Sequence, residues 1–207
     1  MTPRSPTPAG RQAPVLRGVH HTARPTWKLG ETVRFYRDTL GLTLVHAISA
    51  RGWGPADHPD FLHFFFDSGN GSTIAFFYYI GDQRPDWLQP RERYDFDATH
   101  TAWLVESAAE VTAWKLRLEA RGVAVMPEMR HEVIESIYFR DPNGYLLEVT
   151  RTLRPFQPID AADAQRTLQA AMAVEEEALA GGTPFTAIDA VWREKARDVV
   201  RAWEQAA

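Results

Sequence analysis

The strongest constraint on what this chain can fold into is that it states one pattern twice. The HTA of GVHHTAR (18–24) falls on the HTA of ATHTAWL (98–104), which puts His21 over His100. FFFDSGNGSTIAFF (64–77) falls on IYFRDPNGYLLEVT (137–150), which puts Ala75 under Glu148. The order of predicted elements repeats as well. In the first copy, strands are expected over 15–24, 42–48, 61–67 and 72–80, with a helix over 29–40 that Gly41 stops. In the second, Ser107 and Glu110 have the spacing of a capping box that opens a helix to about Ala120. Strands are expected over 98–105, 123–126, 134–140 and 145–151. Matching order over both halves points to a duplicated β-α-β-β-β unit.

The expected organisation is a mobile Pro-rich tail (1–14), a first module (15–81), a linker (82–96), a second module (97–153) and a helical extension (159–207). In the extension, Ala161–Ala180 is Ala- and Glu-rich. Beyond Gly181-Gly182, the residues Ile188, Val191, Trp192, Val199, Val200 and Trp203 share one helical face. The two helices are expected to pack on the modules or on a second subunit.

The chain of 207 residues has 44% hydrophobic and 24% charged residues and a net charge of −4, the composition of a soluble globular protein. No basic run suggests nucleic-acid binding, and no apolar run reaches membrane-spanning length. Cysteine is absent, which excludes disulfides and thiolate chemistry and fits a reducing cytoplasm.

Glu148 poses the chemical question. It interrupts the apolar run Leu146-Leu147-Glu148-Val149, and a buried carboxylate without a partner is costly. If strands one and four of each unit are neighbours, His21, Ala75, His100 and Glu148 occupy equivalent positions. Two imidazoles and one carboxylate form a metal-ligand set that leaves positions open for substrate. The set suits Fe(II), and Mn, Zn, Ni or Co could bind the same ligands. A lone strand histidine is ordinarily a packed residue and a lone strand glutamate ordinarily faces water. Three such residues at repeat-equivalent positions reverse that reading. Alternation along the strand puts the neighbouring His20 on the opposite face.

The segments GVHHTAR, ETVRFYRDTLGL, FFFDSGNGSTIAFF, THTAWLV and IYFRDPNGYLLEVT resemble the vicinal oxygen chelate superfamily, over about Leu16 to Leu153. This superfamily includes glyoxalases, fosfomycin thiol transferases, bleomycin-binding proteins and extradiol dioxygenases. The resemblance implies an α+β fold, two tandem βαβββ modules whose mixed sheet curls into a cup around a divalent metal. It implies His21, His100 and Glu148 as ligands. Alanine at 75 departs from the fourth ligand of glyoxalase I-type members.

The run MRHEVIESIYFRDPNGYLLE resembles the extradiol ring-cleavage motif, with Met129 as a departure. That likeness implies catalytic roles for His131 and Tyr138, which hydrogen-bond the substrate. It implies Fe(II) as cofactor and a catechol, a small molecule with two adjacent oxygens, as substrate. His131 could equally lie on the surface, and Tyr138 could pack the core. His63 is a candidate for a further acid–base histidine, with a structural role as the plainer reading, and Trp53 a candidate for covering the substrate. The alternatives are a lyase, isomerase or thiol transferase in which the metal acts as a Lewis acid, and a non-enzymatic small-molecule binder. A homodimer is expected, with the cup built within one chain or across two.

Overall fold

The computed structural model describes residues 18–51, 57–89 and 97–206. The expected tail, Trp53, the first residues of the expected first strand and much of the linker lie outside the described residues. The chain divides into two compact units. The first comprises residues to Met129 with Glu135–Arg151, and the second Arg130–Ile134 with residues from Thr152 onward.

The architecture is α+β, with two four-stranded mixed sheets. In the first sheet, β1 (His21–Pro25), β2 (Leu44–Ala50), β3 (Phe61–Gly69) and β4 (Ser72–Tyr79) run in the order β1-β4-β3-β2. In the second, β5 (Thr101–Leu104), β6 (Met129–His131), β7 (Ile134–Arg140) and β8 (Leu146–Thr152) run in the order β5-β8-β7-β6. The parallel pairs are β1 with β4 and β5 with β8, so each module brings its first and last strands together.

Local chemistry explains most boundaries. Gly69, Asn70 and Gly71 all take positive φ (89°, 51° and 76°), which lets β3 reverse tightly into β4. Helix α1 (Leu29–Arg34) continues through Phe35–Thr39 with a wider turn, in which the Leu40 N–H donates to the Phe35 carbonyl at 2.9 Å. Helix α2 (Ala108–Glu119) opens on the expected capping box. The Glu110 N–H donates to Ser107 Oγ at 3.3 Å, and the Ser107 N–H to Glu110 Oε2 at 3.0 Å.

One expected strand is corrected. Residues 123–126 form only a single bridge, Val125 to Phe139, and the short strand is instead β6 at Met129–His131. Apolar alternation in 123–126 reflects residues resting on the core edge, where Val123 and Val125 pack.

The first unit is built around one apolar core. Tyr36, Phe66, Ile74 and Phe76 from the first module join Val111, Leu118, Ile137, Phe139 and Leu147 from the second. Full burial of each large side chain contributes about 1.5–3 kcal/mol. A polar seam fixes the register of the modules on each other. Asn143 Nδ2 donates to Thr32 Oγ1 at 2.9 Å, Thr26 Oγ1 donates to Asn143 Oδ1 at 2.9 Å, and the Tyr36 hydroxyl donates to Asp141 Oδ2 at 3.2 Å. Burial pushes the Asp141 carboxyl above the usual carboxylate range, and the backbone N–H groups of Asn143 and Tyr145 oppose that shift.

In the second unit, α3 (Pro158–Ala180) and α4 (Ile188–Ala206) form a helical hairpin. Helix α3 starts earlier than expected, because Pro158 suits the first helical position. Asp160 completes a capping box with Gln157 and pairs with Arg154, whose hydrogen bond lowers the Asp160 carboxyl to about 2. Val191 and Ala170 are buried, whereas Trp192 and Trp203 are exposed. No helix among the described residues is long and apolar enough to cross a membrane.

Candidate metal centre

Strand β8 carries Glu148 inward, in register with Ala102 of β5. Its carboxylate is 3% exposed, so it needs compensation. Part of that comes from β7. Ser136 Oγ donates to Glu148 Oε1 at 2.5 Å and lies 2.8 Å from the Thr150 hydroxyl. Tyr138, two residues along the same strand face, hydrogen-bonds both Ser136 and Glu148. Burial, and then the Glu148 charge, push the Tyr138 phenol above its ordinary value of 10.0, so it remains a protonated donor at neutral pH.

His100 completes the group from the start of β5. Its Nε2 lies 3.1 Å from Glu148 Oε2, and its ring stands edge-on to Tyr138 with centroids 6.2 Å apart. The other ring nitrogen, Nδ1, is 3.0 Å from the Asp97 carbonyl. A carbonyl can only accept, so Nδ1 carries the proton. In the neutral ring, Nε2 then presents a lone pair to a carboxylate oxygen.

Two acceptors at this separation need either a proton or a cation between them. Metal–ligand bonds of about 2.0–2.2 Å, at angles between octahedral and tetrahedral, place neighbouring donor atoms roughly 2.9–3.5 Å apart. The observed pair falls within that span, and the donor types suit Fe(II), Mn, Zn, Ni or Co alike. The residues present therefore fit a divalent cation.

His21 lies elsewhere, exposed on the open face of the first sheet. Its Nδ1 is 2.9 Å from Nδ1 of His20 and its ring is edge-on to Phe65, centroids 5.9 Å apart. The expectation that His20 and His21 point to opposite faces is corrected. Strand β1 begins at His21, so strand alternation does not govern His20. Phe65 also meets His63 (4.2 Å) and His46 (5.7 Å), and His63 stacks flat on Phe77 at 3.7 Å. His63 is buried, its Nδ1 bonds the Phe76 carbonyl at 3.1 Å, and burial lowers its pKa below 6.5. This is the environment of a packing residue. Ala75 is buried in register with Phe65.

Among the described residues, no three His, Asp or Glu side chains converge on one point. The structure thus brings His100, Glu148 and Tyr138 together and leaves His21 on the other sheet. His131 is exposed in β6 and belongs to the second compact unit. Ser136 was not anticipated from the sequence. Its period-two relation to Tyr138 was the available signal.

Paired βαβββ modules, with an imidazole at the first strand of the second module facing a carboxylate on its last strand, define a class of small-molecule enzymes and binders, and comparison places the chain within it. The chain belongs to the Glyoxalase/Bleomycin resistance protein/Dioxygenase superfamily, whose family model matches residues 18–149. Members are commonly metal-dependent enzymes that bind small molecules and often form dimers.

Among solved structures, the chain is similar to a glyoxylase/bleomycin resistance protein/dioxygenase domain from Frankia sp. EAN1pec. The identity is 22%, covering 69% of this chain and 96% of that one, with a TM-score of 0.50. It is also similar to lactoylglutathione lyase from Agrobacterium tumefaciens (25% identity, 66% and 95% coverage, TM-score 0.47). A third similar structure is a genomically encoded fosfomycin resistance protein from Listeria monocytogenes (24%, 66% and 94%, TM-score 0.47). No curated protein matches the chain.

Proposed function

We propose that this protein is a divalent-metal-dependent enzyme acting on a small molecule with two adjacent oxygens, and specifically an Fe(II) ring-cleaving dioxygenase of the extradiol type. The observation that carries the metal reading is the 3.1 Å approach of His100 Nε2 to Glu148 Oε2 while His100 Nδ1 faces a carbonyl. The ring-cleavage version rests on two further features. Tyr138 is a neutral hydrogen-bond donor held against Glu148. The sheet face around His21 presents the half-buried rings of Phe65 and Phe77, packed against buried His63, as a wall suited to a planar ring.

In this reading His100 and Glu148 hold the cation from one module and His21 supplies the third ligand from the other. Since His21 stands apart from the pair within one chain, we assign it to a cup closed by a second copy, with His21 of one protomer facing His100 and Glu148 of the other. When bound, Fe(II) would supply Lewis acidity to the substrate oxygens and one-electron chemistry toward dioxygen. The protein's own residues do the rest. The aromatic wall orients the ring and excludes water, Ser136 holds Glu148, and Tyr138 donates a hydrogen bond to a substrate oxygen. His131 is included as acid–base residue on the sequence motif alone.

The test is protein loaded anaerobically with Fe(II), given substituted catechols in an oxygen electrode. Oxygen uptake with a coloured ring-opened product is expected. The second reading, a lyase, isomerase or thiol transferase, is favoured by a donor set that suits Mn, Zn or Ni equally well. Turnover with those metals in the absence of oxygen would select it over the first. Tight binding of a small molecule by metal-free protein would select a sequestering protein instead.

A further inference from the structure

We infer that the first unit carries a second small-molecule site, an apolar cavity on the back of β5 and β8 that takes one benzene-sized hydrocarbon ring. The inference is independent of the metal reading.

Side chains alternate along a strand, and register partners in a ladder share a face. Ala102 pairs with Glu148 on the face of the candidate metal centre, so the next pair, Trp103 with Val149, faces the other way. On that side a cavity of about 140 Å³ opens between β5, helix α2 and the turn that follows α1. Its walls include Leu40, Leu42, Trp103, Val105, Trp114 and Val149. Leu40 and Val149 are buried and the other four pack against the core, so the cavity is a notch in the edge of the core itself. Its mouth lies at Leu104, which also lines it and is 66% exposed.

A void of this size forfeits dispersion contacts, and its walls ordinarily relax into it. Here the walls are braced from outside. Trp103 Nε1 donates to Ser68 Oγ of β3 at 3.0 Å, which engages the one polar atom of that side chain. The Leu42 N–H donates to the Tyr36 carbonyl at 2.9 Å, and Arg117 Nε donates to the Thr39 carbonyl at 3.0 Å. The turn carrying Leu40 and Leu42 is therefore tied to both helices. The same Arg117 guanidinium lies 5.4 Å from the centroid of the Trp114 ring.

The lining decides the occupant. A resident water needs two to four polar partners, and aliphatic and indole side chains offer few. An apolar cavity of about 150 Å³ holds benzene, and this one is nearly that size. A hydrocarbon ring recovers the missing contacts with no polar group to desolvate and no wall to order. Hydroquinone, with hydroxyls at opposite ends of the same ring, would have to bury one of them without a partner.

The experiment uses the full chain, metal-free and labelled with 15N-tryptophan, titrated with benzene. The indole signals of Trp103 and Trp114 are assigned by W103F and W114F. Both should shift saturably in wild type, with a Kd of roughly 0.1–1 mM for a ligand of six heavy atoms. At ten times Kd the unfolding constant should fall about elevenfold. Hydroquinone should bind about tenfold more weakly, or worse. L42F places a ring in the cavity and should abolish benzene binding. V105I adds one carbon and should weaken binding about fourfold, which keeps the test decisive if L42F fails to fold. The inference is overturned if wild type shows no saturable shift at Trp103 and Trp114, or if hydroquinone binds as tightly as benzene. Wild-type benzene affinity in V105I or in folded L42F overturns it as well.

Discussion

Asn143→Ala tests how the two modules are joined. Asn143 is 1% exposed, in the turn between β7 and β8, and its side chain reaches across to Thr26 and Thr32 at 2.9 Å each. Truncation removes both hydrogen bonds, at about 1 kcal/mol each. It also removes a longer 3.3 Å contact to Asp141 and leaves a small void. Two features limit the loss. Thr26 and Thr32 keep each other at 2.8 Å, and the main-chain bonds of Asn143 to Asp141 and Arg84 survive. The expected cost is about 2–3 kcal/mol. Because the chain has two compact units, the measurement should be amide exchange in β3 and β7 alongside urea unfolding, so that the first unit is read by itself. A double-mutant cycle with Thr32→Ala should give a coupling near 1 kcal/mol. A loss below about 0.5 kcal/mol, or a cycle that is simply additive, would refute the claim that this seam joins the modules.

Glu148→Gln and His100→Ala should each weaken Mn2+ binding by about 100-fold or more, the scale expected for a ligand given the 10- to 100-fold effect of outer residues, with the fold intact by circular dichroism. If the cup is shared between copies, mixing inactive H21A with inactive E148Q should restore about a quarter of wild-type activity, because half the dimers are mixed and each has one whole site. A cup built within one chain predicts no recovery. His63, whose pKa is lowered by burial, binds fewer protons folded than unfolded, so stability is full above 6.5 and falls as pH drops from there toward the lowered folded value. Chemical denaturation across that range should show the fall, and His63→Phe should flatten it. Asp160, lowered to about 2, acts in the window below its ordinary value of 3.8: its contribution is lost as pH falls from there toward 2. Arg154→Ala should raise the Asp160 midpoint in a carboxyl-carbon NMR titration.

The duplication makes most of the architecture legible in the sequence alone. Turn residues such as Gly69-Asn70-Gly71 and the Ser107–Glu110 cap act locally, so their spacing in sequence is their spacing in space. Expectations failed where a non-local partner decided the outcome. Residues 123–126 alternate like a strand, yet only Val125 finds a bridge partner, since apolar contact with the core does not require ladder pairing. His20 escapes strand alternation because β1 starts one residue later.

By itself, then, the sequence determined the paired βαβββ order, the helical extension and the residue types fit to hold a cation, because periodicity, capping and repetition are short-range properties. Which of those residues meet was decided only in the tertiary structure. His100 immediately precedes β5, which runs parallel beside β8, and so comes within 3.1 Å of Glu148, whereas His21 belongs to a different sheet. The same holds for Arg140 and Asp97, 43 residues apart, whose contact depends on where the end of β7 meets the segment ahead of β5. Side-chain chemistry is written residue by residue, but distance between residues remote in the chain exists only once the sheets have packed.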